Sequence, residues 1–464
     1  MNVQEIIVPP FPKEKIHESI VHIADAQTYK KRITNAMEMA LSRYGTTHLV
    51  IYGDREHFAN IHYFTGYDPR FEEAILILSQ NKEPLILVGN EGLNYSEIIP
   101  YPIKKVLFQS LSLAGQPREK NRTVLGKTIE EAGIGKSSVV GIVGVKYYVA
   151  EEVEDYQHTI DIPHFIVKAL ETHGCQLLNV TDIMIHPGYG LRTCLDIDEM
   201  AVLELAATKT SRSVYNVMTN LKPEMSEIEA SACFELDGDP LVAHPNLNFT
   251  LEGARRGLVS PGNHRLRYGS VFNIGLGYRS SMVARTALYA RDAKDIPSEW
   301  SDIMEKIYKP YFHVIVHWYE NIRIGATGKS ILAHIREQVP EYDELGIGLN
   351  PGHLIHNDEW TSSIFTDTGE YTIKNGMSIQ CDIIACPAKY PGIHIEDGLI
   401  MADADTRRQF SEKYPESWKR IQARRKLMKE NLNIQINDEV LPLSDLQGCL
   451  SPWTVNPHSV LAVC

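Results

Sequence analysis

The residues on either side of Gly188-Tyr189-Gly190 follow different periodicities, and this break constrains the fold more than any other feature. Before it, short apolar runs alternate with helical patterns. Residues 48–52 form a run ended by Gly53-Asp54, which predicts a strand entering a turn. Residues 74–78 and 84–89 flank the polar tip Gln80-Asn81-Lys82-Glu83 and predict a hairpin. Residues 138–143 and 176–180 read as further strands, with a helical pattern over 164–172 between them. This alternation predicts an α/β domain with a partly parallel sheet. After the break, Asp198-Glu199 open a long amphipathic stretch in which Met200, Leu203, Ala207, Val214, Val217 and Leu221 recur at helical spacing up to Pro223. Helical patterns over 300–321 and 329–339 follow, and the remainder is strand-like with turn punctuation. A chain of 464 residues is also too long for one core. We therefore expect two domains, an α/β domain over residues 1–190 and an α+β domain over 191–464.

Charge narrows the partners. The net charge is −13, and the densest basic run, Lys419-Arg420 to Arg424-Arg425-Lys426, reads as a solvated helix face rather than a nucleic-acid footprint. The seven cysteines lie far apart without a CxxC pair, which argues against a disulfide framework or a structural zinc site. The start carries neither a basic stretch nor an apolar one, and no apolar run is long enough to span a bilayer. The expectation is a cytoplasmic protein with neither nucleic-acid nor membrane partners.

Three segments carry a family resemblance. Residues 260–278, with Asn273-Ile274-Gly275 in a strand and Arg285-Thr286 closing the next one, resemble the segment that holds the first two metal-binding aspartates of the creatinase/aminopeptidase P family. Gly348-Leu349-Asn350-Pro351-Gly352-His353-Leu354-Ile355-His356 resembles that family's Gly-His-Gly-x-Gly-x-x-x-His run. Asn375-Gly376-Met377 with Asp382, then Gly392-Ile393-His394-Ile395-Glu396-Asp397, is similar to its Pro-Gly-Met-x-x-x-x-Glu and Gly-x-Arg-Ile-Glu-Asp. Residues 54–67 add a likeness to the first domain, through Tyr63-Phe64-Thr65-Gly66. The resemblance implies an α/β N-terminal domain plus an α+β pita-bread C-terminal domain with a C-terminal extension, assembled as a homodimer.

Peptidases of that family bind two divalent metals through two Asp, one His and two acidic residues, which activate a water and polarise the scissile carbonyl. Carried over position by position, the first Asp falls on Gly275, the second on Met282 and the His on Leu349. Only the acidic pair survives, as Asp382 and Glu396. An alternative register puts His353 in place of Leu349 and Asn273 in place of Gly275. Creatinase works without metal, but its His and Glu positions fall on Leu258 and Ala284, so that pattern fails too.

The resulting expectation has no metal and no cofactor. It is a creatinase-like hydrolase or lyase acting on a C–N bond of a small amide, guanidino or amino-acid-like compound. His356, at the family's non-metal His, would move the proton. Asp382 and Glu396 would complete the catalytic set by gripping a cationic group of the substrate. His353, His394, Glu359, Arg285 and His244 are the expected substrate-facing residues. Cys381 is a weaker nucleophile candidate, since a Cys in a strand usually packs the core. Two alternatives stand beside this reading: a pseudo-peptidase that binds without turnover, and an Xaa-Pro dipeptidase or aminopeptidase with atypical metal ligands.

Overall fold

A computed structural model describes residues 1–464. The chain opens with β1 (Val3–Ile7), which pairs antiparallel with the last strand, β16 (Ser459–Val463). Because of this pairing, residues 1–21 group with residues 193–464, and His22–Arg192 is the other compact unit. The expected boundary near residue 190 is therefore crossed once more, at residue 21. Sequence periodicity could not show this, because the partner strand lies at the other end of the chain.

The unit His22–Arg192 is built on six strands: β2 (His48–Gly53), β3 (Ala74–Ser79), β4 (Leu85–Val88), β5 (Lys104–Leu107), β6 (Val139–Val143) and β7 (Gln176–Asn179). Their order is β5-β4-β3-β2-β6-β7. The hairpin β3–β4 and the pair β2–β3 are antiparallel, whereas β4–β5, β2–β6 and β6–β7 are parallel. The parallel pairs need crossovers, and the helix His164–Thr172 supplies the one between β6 and β7.

The other unit holds an eight-stranded sheet: β8 (Asn246–Asn248), β9 (Ser270–Leu276), β10 (Val283–Tyr289), β11 (Ile347–Gly348), β12 (His353–Leu354), β13 (Ser378–Ala385), β14 (Ile393–Met401) and β15 (Val440–Pro442). The backbone order is β11-β13-β14-β10-β9-β8, with β12 on β13 and β15 on β14. Alternation decides which face each side chain takes. Ile379, Cys381, Ile383 and Ala385 of β13, with Ile393, Ile395 and Leu399 of β14, join one hydrophobic cluster. The helix Lys309–Asn321 contributes Tyr311, Ile315, Trp318 and Tyr319 to the same cluster. The Tyr311 hydroxyl donates to Ile383 O at 2.6 Å and accepts the Ile395 N–H at 2.8 Å, which fixes β13 against β14. Gln380, Asp382, His394 and Glu396 have the other parity and point to the opposite face.

Two expectations are corrected, those for Arg285 and for the basic run, and Cys381 takes the core place expected of a strand Cys. Arg285 sits between Ala284 and Thr286 and therefore takes the core face. Its guanidinium is buried, ion-paired with Asp397 at 2.8 Å, and donates to Leu446 O at 2.7 Å. It is a structural cation and does not face a substrate. Cys381 lies on the same face, fully buried, and burial raises its thiol pKa well above the ordinary value, so it is core packing. The basic run belongs to the helix Pro415–Lys426 but is not a solvated face. Arg424 is 3% exposed and bridges Glu204 (2.7 Å) and Asp445 (2.7 Å), while Arg420 also clamps Glu204. Glu204 belongs to the helix Ile197–Asn220, which starts at the capping box formed by Asp196 and Glu199.

Candidate active site

Strand register brings the polar residues into two rows across the sheet. One row runs Asn246–Gly275–Ala284–Glu396–Asp382, each residue directly opposite the next. The second runs Asn248–Asn273–Thr286–His394–Ile384. Residues opposite one another on neighbouring strands share a face. His353 on β12 is opposite Gln380, two residues from Asp382 on β13, so it joins the same face.

Five ionisable groups meet at the Asp382 end of these rows. His394 Nε2 lies 2.6 Å from Asp382 Oδ1. His353 Nε2 faces three carboxylates, Glu359 at 3.2 Å, Glu396 at 3.8 Å and Asp382 at 3.9 Å. His353 is fully buried, yet none of the three takes a well-aligned hydrogen bond from its Nε2. On its other side, His353 Nδ1 approaches Leu354 O at 3.3 Å, and the ring stacks on Trp360 with centroids 4.2 Å apart. Gln380 Nε2 donates to Met282 O at 3.0 Å and approaches Glu396 Oε1 at 3.4 Å.

The electrostatics follow from crowding without solvent. Burial, reinforced by the neighbouring Asp382 carboxylate, pushes Glu396 up to about 7. Burial works against charging His353, but the Glu359 and Glu396 carboxylates outweigh it and hold the imidazolium up to about 10. His394 is also raised, because Asp382 outweighs the burial that opposes its charge.

The remaining expected residues are placed as follows. His356 is buried, and its Nε2 lies 3.2 Å from Glu199 Oε1, which ties the loop after β12 to the helix Ile197–Asn220. His244 is exposed on the loop before β8, and no contact draws it into the cluster. Leu349 is 74% exposed with a left-handed backbone (φ 58°), so the position that matches the metal His points into solvent. His353, four residues later, is the histidine that reaches the acids. Gly275 and Met282 adjoin each other: a Cβ on Gly275 would stand 3.1 Å from Met282 Cε. Neither offers a hard-cation ligand. Two contributors escape the reading of the sequence. Gln380 shares the parity of Asp382 and is legible in principle, whereas Trp360 reaches His353 only through the fold of a loop.

The groups that remain fit a divalent cation, though not through the set the resemblance implies. His353, Glu359 and Glu396 each offer one atom within 4.8 Å of the others, and so do Asp382, His394 and Glu396. Glu396 is common to both groups.

No protein-family profile and no curated protein matches the chain. Solved structures do. An Xaa-Pro dipeptidase from Bacillus anthracis superposes with a TM-score of 0.62 at 15% identity, covering 81% of this chain and 96% of that one. A prolidase from Thermococcus sibiricus gives 0.62 at 17% identity, covering 82% and 96%. An X-Pro aminopeptidase from Thermotoga maritima gives 0.60 at 15% identity, covering 80% and 95%. The chain has the creatinase/aminopeptidase P fold. The pita-bread sheet of that fold is the eight-stranded one that carries the cluster, and no helix is long and apolar enough to cross a membrane.

Proposed function

We propose that this pita-bread protein hydrolyses a C–N bond of a small peptide- or amide-like compound, with His353, Glu359, Asp382, His394 and Glu396 as its centre. The observation that carries the reading is the convergence of three carboxylates and two imidazoles at one end of the sheet, all but Glu359 largely buried. Burying charge weakens a fold unless it is well paired, and a packed apolar patch would serve stability at least as well. Buried, mutually perturbed ionisable groups are therefore a functional signal. The named activities of the structural neighbours, dipeptidase and aminopeptidase, support amide-bond chemistry for this chain.

A divalent cation held by the cluster would lower the pKa of a bound water and polarise a carbonyl oxygen. Asp382 orients His394 through their 2.6 Å contact, and the Gln380 amide steadies Glu396. Gly275 and Ala284 carry little bulk beside Glu396, and the Met282 side chain lies against Gly275. Asn246 and Asn273 flank that floor with hydrogen-bonding amides. His356, held by Glu199, is the residue assigned to carry the proton.

The test is a panel of dipeptides, small amides and guanidino compounds, followed by release of free amine. Release is expected for at least one class. His356→Ala should abolish turnover and spare ligand binding, whereas Asp382→Asn should weaken binding itself. Wild-type turnover by both variants would remove the cluster from catalysis. Ligands without any product would make the chain a binding protein on a peptidase fold.

A further inference from the structure

We propose that the cluster is a re-ligated metal centre, in which His353, Glu359 and His394 replace the ligands lost at Gly275, Met282 and Leu349. Each of its two halves supplies one imidazole nitrogen and two carboxylates. The first half is His353, Glu359 and Glu396, the second is Asp382, His394 and Glu396, and Glu396 serves both. This goes beyond the hydrolytic reading, because it concerns which cation binds and through which atoms, whatever the chain turns over.

Three observations on the sheet carry it. First, the His353 Nε2 is wholly buried and lacks a well-aligned hydrogen bond, although three carboxylates stand 3.2–3.9 Å away. A group of donors spaced for mutual hydrogen bonding would close up. Ligand atoms that share one cation stand apart from one another instead. Second, His353 Nδ1 faces the Leu354 carbonyl at 3.3 Å, the arrangement that fixes a metal-bound imidazole with its Nε2 lone pair toward the ion. Third, the second half repeats the geometry of the first: Asp382, His394 and Glu396 each offer one ligand atom within 4.8 Å of the others.

The ligand set predicts the metal. The resemblance implies one histidine for two ions, a mainly oxygen environment. Here each half has an imidazole of its own. Imidazole nitrogen favours zinc, cobalt and nickel, whereas sites made only of carboxylate and water suit magnesium and manganese. The pita-bread centre of this chain should therefore bind zinc and cobalt ahead of manganese and magnesium.

The experiment uses the full-length chain stripped with chelator and titrated calorimetrically with ZnCl2, CoCl2, MnCl2 and MgCl2, without reference to turnover. Zinc and cobalt should bind saturably and at least about tenfold more tightly than manganese. In the cobalt form, proton NMR should show two exchangeable, strongly shifted imidazole N–H signals, one for each histidine ligand. His394→Asn should leave one signal, and Glu359→Gln should weaken binding at least about tenfold. Leu349→His, on an exposed loop, should change nothing. Thermal melting of each variant separates lost ligation from lost folding, and Glu359→Gln, at a partly exposed side chain, serves if His394→Asn fails to fold. Zinc and cobalt binding no better than magnesium would overturn the proposal. So would wild-type affinity in His394→Asn and Glu359→Gln together, or a gain of affinity in Leu349→His.

Discussion

At the scale of single residues, His353 and Glu396 make the stability of the stripped protein depend on pH. Both bind a proton more tightly in the folded chain, His353 at about 10 against its ordinary 6.5 and Glu396 at about 7 against 4.5. A raised folded pKa gives stability that is present below the unfolded pKa and lost as pH rises through the folded one. The relevant windows are pH 4.5 to about 7 for Glu396 and 6.5 to about 10 for His353. Chelator-treated protein should therefore melt at a lower temperature at pH 9 than at pH 6, and His353→Gln should flatten the part of that slope above pH 6.5. An unchanged or rising melting temperature in the wild type would show that these groups are not coupled as described. Arg285 shows how two neighbouring residues diverge in role: it flanks Ala284, on the site face, yet parity turns its guanidinium to Asp397 in the core.

Among the secondary-structure elements, the helix Pro415–Lys426 shows how far composition misleads. Its basic residues are not equivalent. Arg424 is locked between Glu204 and Asp445, while Lys419 is exposed. Removing one partner of a buried ion network leaves an uncompensated charge, at a cost of about 3–5 kcal/mol. Arg424→Ala should lose stability on that scale in urea denaturation, and Lys419→Ala should stay within about 0.5 kcal/mol of wild type. Equal effects would restore the view of a solvated face. The strands are more legible. Over residues 379–383 of β13 and 393–396 of β14, apolar residues alternate with Gln, Asp, His or Glu, so the period of two announces one packed face and one polar face there. The helical pattern over 300–321 is only partly α-helical. A 3₁₀ turn at Ser298–Trp300 and a π turn at Met304–Tyr308 precede the α-helix, a difference in hydrogen-bond register that apolar spacing cannot resolve.

In the molecule as a whole, the two ends of the chain form one ribbon, β1 with β16. Val3 and Val8 are nearly buried and pack into the same core cluster as Tyr215 and Leu461. Each buried valine contributes about 1.5–3 kcal/mol. Deleting residues 1–8 should therefore lower the melting temperature of the unit that includes residues 193–464. It should leave the unit His22–Arg192 unaffected when hydrogen exchange is read for each separately. Loss of protection in β2–β7 would contradict the division into these two units.

The sequence by itself determined the class of each unit and the likeness to the pita-bread fold. It also marked Asp382 and Glu396, because strand parity, helix periodicity and ordered motifs are local properties that survive divergence. It did not determine the centre. Counting residues placed the lost histidine on Leu349 or, in the alternative register, on His353; the chain turns through a left-handed residue at Leu349 and delivers His353 to the acids. Only the tertiary structure decided that His353, Glu359 and His394 gather around the two acids and that Arg285 does not. Ligand geometry depends on register between strands more than a hundred residues apart, and a loop can change length without any periodicity in the sequence recording it.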